Sequence, residues 1–104
     1  MHNRLATITK LLAQNPQDVF LHYSLGMEYF ASGQHIQAAS EFDRCIELDA
    51  SYLAAYVEGG KCLRAAGLLD HARAIFQRGL EVAARQGDRH AEDHIRQQIE
   101  GLGG

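Results

Sequence analysis

The chain has little that would commit it to a membrane, a metal or a nucleic acid. No apolar run in its 104 residues approaches the roughly 18 that a membrane-spanning helix needs. Residues 1–15 carry a polar side chain every few positions, where a signal peptide would have a continuous apolar stretch. Cysteine is limited to Cys45 and Cys62, whose spacing is not that of a metal site. With no signal-peptide pattern in residues 1–15 and no cysteine framework, the expectation is a cytoplasmic protein in a reducing compartment. Basic charge is not in excess either. The 10 Lys and Arg against 13 Asp and Glu give a formal net charge of -3 and no footprint for nucleic acid. Proline is limited to Pro16, which follows Asn15 at a natural helix start, where the missing N–H costs nothing.

What the chain has is a period. Shifted by 34 residues, Ala38 falls on Ala72, Phe42 on Phe76, Gly26 on Gly60 and Gly33 on Gly67. Self-similarity at that spacing marks a helical repeat, in which no unit buries its apolar face alone and neighbours must stack. Helices are predicted at 2–14, 17–32, 35–48, 52–66, 69–86 and 88–100. Gly33 and Gly67 separate the two helices of each unit, where positive φ lets the chain turn sharply. Gly87 and Asp88 supply the stop and the N-cap of a last helix. One domain over 1–104 is expected: a half repeat at 1–18, full repeats at 19–52 and 53–86, and a capping helix with a tail at 87–104. Ile8, Leu11 and Leu12 stand one period before Phe42, Cys45 and Ile46, which assigns 1–18 to the second half of a unit.

The slots filled by Leu25, Gly26, Tyr29, Ala38, Phe42, Cys45 and the Leu48-Asp49 ending resemble the tetratricopeptide repeat. The second unit carries Tyr56, Gly60, Leu63, Gly67, Ala72 and Phe76 in the same pattern. The chain departs from the family at Gly59, Gly79, Ala50 and Ala84, and its first tryptophan-like slot holds His22. The resemblance implies an all-α, right-handed stack of antiparallel helical hairpins, whose first helices line a concave surface that holds peptides or partner proteins.

The predicted helix at 17–32 is apolar on nearly every side. At about 100° per residue, Leu21, His22, Leu25, Gly26 and Tyr29 share one arc, which the resemblance assigns to the hairpin core. Phe20, Tyr23, Met27 and Phe30 share another, leaving Ser24 and Glu28 as the polar stripe. A helix apolar on two sides must be covered on both, and the second arc fits a concave peptide groove; cover by the amino-terminal helix or by a tight curl of the stack is the alternative. One period on, the groove positions hold Ala54, Val57, Lys61 and Arg64, and one further Asp88, Ala91, Ile95 and Gln98. The groove thus runs from aromatic to basic, suiting a ligand with apolar residues followed by an acid.

Catalytic constellations are absent from this reading. His90 and His94 stand four apart with no third ligand placed by sequence, and Asp70-His71 reads as a first helical turn. Cys45 and Cys62 read as buried thiols, and Gly101 to Gly104 as a frayed end. The expectation is a non-catalytic interaction module without cofactor or metal, binding a protein or peptide through Phe20, Tyr23, Met27, Phe30, Val57, Lys61 and Arg64. Nucleic acid and membrane are not its partners. The alternative is self-assembly, with the aromatic stripe as a homodimer interface.

Overall fold

A computed structural model describes residues 3–103, and within them every regular element is a helix. The six helices are α1 (Arg4–Gln14), α2 (Val19–Ala31), α3 (His35–Leu48), α4 (Leu53–Ala65), α5 (Leu69–Gln86) and α6 (Arg89–Glu100). Each packs on the next in chain order, as a stack of antiparallel hairpins requires. The helix expected from position 2 begins at Arg4, because the Asn3 side chain accepts the Ala6 N–H as its N-cap; His2 lies outside the described residues. Pro16 corrects its expected role. It sits in the turn before α2, since the Asp18 carboxylate takes the Leu21 N–H and starts the helix at Val19.

The hairpin turns follow one design. Gly33 and Gly67 have φ of 80° and 82°. At each, the glycine N–H and the next N–H reach back to the preceding helix: Gly33 to Phe30 O and Gln34 to Tyr29 O, then Gly67 to Arg64 O and Leu68 to Leu63 O. This pair of bonds satisfies carbonyls that a helix end leaves open, and its geometry needs a residue tolerant of positive φ. Gly87, at φ 69°, ends α5 in the same way, and the Asp88 side chain caps α6 through the Ala91 N–H.

Two apolar clusters hold the stack. Ala38, Phe42, Cys45, Tyr56 and Cys62 belong to the first, and Ala72, Phe76, Ala83 and Ile95 to the second. Leu53 and Leu63 pack against both, so α4 joins them. The periodic glycines make the ring contacts: a Cβ on Gly26 would stand 2.8 Å from the Phe42 ring, and one on Gly60 would overlap Phe76.

The carboxyl end overturns the expectation of fraying among the described residues. Leu102 is buried in the second cluster, and Arg73 donates to the Gly103 carbonyl at 2.9 Å. No helix among the described residues is long and apolar enough to cross a membrane.

Candidate binding groove

The first helices of the hairpins, α2 and α4, lie side by side, and α4 reaches α6 where Arg64 donates to the Gln98 carbonyl oxygen of the side chain. This face carries the predicted site, but the structure divides the aromatic arc of α2. Phe20 is 66% exposed and Met27 36%, two turns apart on one side of the helix. Tyr23 and Phe30 are half-buried and pack against the first core cluster. Tyr23 meets the Phe42 ring edge-on, with centroids 5.5 Å apart, and lies 5.4 Å from the Tyr52 ring at 33°. Phe30 sets its ring against His35 at 5.6 Å. The expectation that the core makes no use of this arc therefore fails at Tyr23 and Phe30. An α-helix turns only about 100° per residue, so neighbours on a wide arc straddle the boundary between core and surface.

Cover by the amino-terminal helix does not account for Phe20 and Met27. That helix lies on α2 with Arg4 near Glu28, 3.9 Å apart, on the predicted polar stripe; Phe20 stays open and Met27 stays partly exposed. Ser24, the other member of the stripe, returns its hydroxyl to Phe20 O.

On α4, Val57 is half-buried against the second cluster. Lys61 and Arg64 are half-buried and already engaged, Lys61 with Glu58 at 3.6 Å and Arg64 with Gln98. Glu58 also stands close enough to Tyr23 to raise the phenol pKa, a shift due first to burial and then to that carboxylate. The middle of the groove is therefore a Tyr23, Glu58, Lys61 row in which both charges are compensated, rather than a basic patch. On α6 the periodic extrapolation needs a second correction. Ile95 was placed on the groove surface and is instead fully buried among Ala72, Phe76 and Ala83. With no further helix over it among the described residues, α6 turns its one apolar stripe onto α5.

Tyr52 is the groove residue that the sequence reading missed. It precedes α4 as the last residue of a repeat, and no 34-residue partner draws attention to it; only its ring contact with Tyr23 does. Elsewhere, Cys45 and Cys62 are fully buried, and burial pushes both thiols up to about 12, which keeps them protonated. No group of three or more His, Cys, Asp or Glu among the described residues is placed to hold a metal ion.

No family model matches the chain. A TPR repeat-containing protein of Pseudomonas aeruginosa is 38% identical over 88 residues, spanning 85% of this chain and 84% of that protein. The solution structure of a protein from Bordetella parapertussis superposes with a TM-score of 0.84 at 24% identity, covering 98% of this chain and 89% of that one. The first TPR of Spaghetti (RPAP3), solved bound to an HSP90 peptide, gives a TM-score of 0.76 at 23% identity, over 94% and 76% of the two chains. At those identities the two structures speak for the fold alone.

Proposed function

The chain belongs to the tetratricopeptide repeat family, and from that membership we propose that it is a non-catalytic interaction module that binds a peptide or partner protein across α2 and α4. The observation that carries this reading is the exposure of Phe20 and Met27 on one side of α2. Phe20 is mostly open and Met27 keeps 36% of its surface exposed, and burying large apolar groups against a partner removes them from water. Tyr23, Phe30 and Val57 form the half-buried margin of the same surface, and the peptide held by the first TPR of Spaghetti is a precedent for such use of the fold.

Magnitudes limit how much this surface does alone. Covering on the order of 200 Å² of apolar side chain at ~25 cal/mol/Å² contributes about 5 kcal/mol. Association costs at least ~4 kcal/mol. A ligand that touched only the stripe would bind weakly, so a functional partner extends along α4 to Lys61 and Arg64. An acidic residue of the ligand would compete with Glu58 for Lys61, and that contact is worth most at low salt.

The test replaces Phe20 and Met27 together by Ser. Helicity and melting temperature are expected to stay near those of the native chain, while capture of partners from the native cell extract is lost. Undiminished capture by the folded variant would refute the groove. Light scattering over a concentration series serves as control: a dimer that the same substitutions dissolve would reassign the stripe to self-assembly.

A further inference from the structure

The second helices α3 and α5 form the opposite face, and between them runs a furrow with a different chemistry. A pocket of about 240 Å³ is lined by Ala50, Ser51, Tyr56, Val82, Arg85 and Gln86. A hollow of about 340 Å³ adjoins it, lined by Asp43, Ile46, Glu47, Ala50 and Arg78. Ala50 lines both, so the two hollows lie side by side along the furrow. Its floor is apolar, made by Ile46, Ala50, Tyr56 and Val82, and its rims carry opposite charge: Asp43 and Glu47 on α3, Arg78 and Arg85 on α5. Gln86 donates to Ser51 O at 2.9 Å and ties the rims together at one end.

The basic rim makes no close ion pair. Among the described residues neither arginine has a carboxylate within ion-pair distance. Arg78 lies over the Tyr56 ring, 5.6 Å from its centroid, and Arg85 donates only to the Glu81 carbonyl at 3.5 Å. Opposite, Glu47 is held by Arg44 at 3.4 Å. Asp43 makes no ion pair among the described residues, and its carboxyl is raised by burial against the partial offset of Arg78. An apolar floor between rows of opposite charge discriminates by charge pattern, because a ligand of one sign would meet repulsion from one rim wherever it met attraction from the other.

We infer that this furrow docks a short amphipathic helix of a partner protein, with carboxylates along the flank facing α5, cations along the flank facing α3 and an apolar ridge between them. The spacing selects a helix. Arg78 and Arg85 are two turns apart, about 10.5 Å along α5, which acids seven residues apart on a parallel helix would match. An extended segment covers that distance in about three residues, and three residues put the two side chains on opposite faces. An apolar side chain three or four residues after the first acid would then lie over the pocket at Tyr56 and Val82. This site is independent of the α2 and α4 groove.

The probes are three fluorescein-labelled, alanine-rich helical peptides of about 18 residues, long enough to hold a helix in water. All share one Leu ridge and differ in their flanks: Glu on one side and Lys on the other, Glu on both, or Lys on both. The native chain is expected to bind the mixed peptide at least ~tenfold more tightly than either uniform one. Its amide shifts should be perturbed at Ile46, Ala50, Val82 and Arg85. The double variant Arg78→Glu with Arg85→Glu, checked for helicity, makes both rims acidic and should transfer the preference to the all-Lys peptide. Phe20→Ser with Met27→Ser should leave mixed-peptide binding unchanged. Absence of binding, unaltered preference in the folded rim variant, or shift changes confined to α2 and α4 would each overturn the proposal.

Discussion

The 34-residue period extends to hydrogen bonds that no apolar pattern reveals. His22 Nε2 donates to Pro16 O, and one period later the Tyr56 hydroxyl donates to Ala50 O, both at 2.7 Å. The polar tip of the tryptophan-like slot thus closes on the carbonyl six residues upstream, which explains why such different side chains fill it. His22 also sets Nδ1 against Glu41 at 2.8 Å, tying α2 to α3. Tyr56→Phe keeps the ring on Arg78 but leaves Ala50 O without its donor, and a loss of about 1–2 kcal/mol in urea unfolding is expected. The buried thiols add a pH dependence. Burial first, with Glu41 beside Cys45 and Glu58 beside Cys62, raises both from 9.0 to about 12. Below pH about 9 the thiols are protonated whether folded or not, and their contribution is fully present. Between about 9 and 12 the unfolded chain ionises while the folded one resists, so stability falls. The raised phenols of Tyr23 and Tyr52 act in the same direction. Melting temperatures measured from about pH 7 to 11 should stay level and then decline, more shallowly in a Cys45→Ala, Cys62→Ala double variant.

At the scale of the element, the helices were legible because periodic glycines, apolar stripes and caps agreed. Gly33, Gly67 and Gly87 end helices where expected, and α3 and α5 keep their predicted limits at 35–48 and 69–86. Three features were not legible. The turn at Pro16 depended on whether the helix began beside Pro16, as proline's tolerance of a first turn suggests, or only after Asp18, whose carboxylate takes the Leu21 N–H. The orientation of α6 depended on what covers it, which a pattern copied from α2 and α4 cannot foresee. The docking of Leu102 depended on a space at the end of the second cluster that exists only once α5 and α6 have met. The candidate groove was legible as an apolar excess on α2, but its division between Phe20 and Met27 on the surface and Tyr23 and Phe30 on the core required the positions of Phe42, Tyr52 and His35. Two substitutions examine these elements. Gly67→Val places a β-branched residue at φ 82°, and a loss of more than ~1 kcal/mol is expected although the space there is open. Leu102→Ala should cost ~2 kcal/mol or more if the tail is part of the core, whereas a frayed end would leave the melting temperature unchanged.

For the whole molecule, stability is shared unevenly along the stack. In a linear array each unit gains chiefly from its neighbours, so the middle is held twice and the ends once. The amino-terminal helix has no buried residue, while α3, α4 and α5 contribute five or more each. The carboxyl end is better secured, by Ile95, by Leu102 and by the bond from Arg73 to Gly103 O. Native-state hydrogen exchange should therefore be fastest in α1, by at least ~tenfold relative to α4, and α6 should lie between them. The contrast bears on the proposed groove: α1 packs on α2, the helix that carries the exposed Phe20 and Met27, so opening at this end would leave the core built by α3, α4 and α5 in place. Leu63, like Leu53, packs against both clusters. Leu63→Ala should lower protection on both sides, in α2 and α3 as well as in α5 and α6, whereas Ile95→Ala should act mainly on α5 and α6. Equal exchange in α1 and α4, or an effect of Leu63→Ala confined to one side, would show that the chain unfolds as an undivided unit instead of from its amino-terminal end.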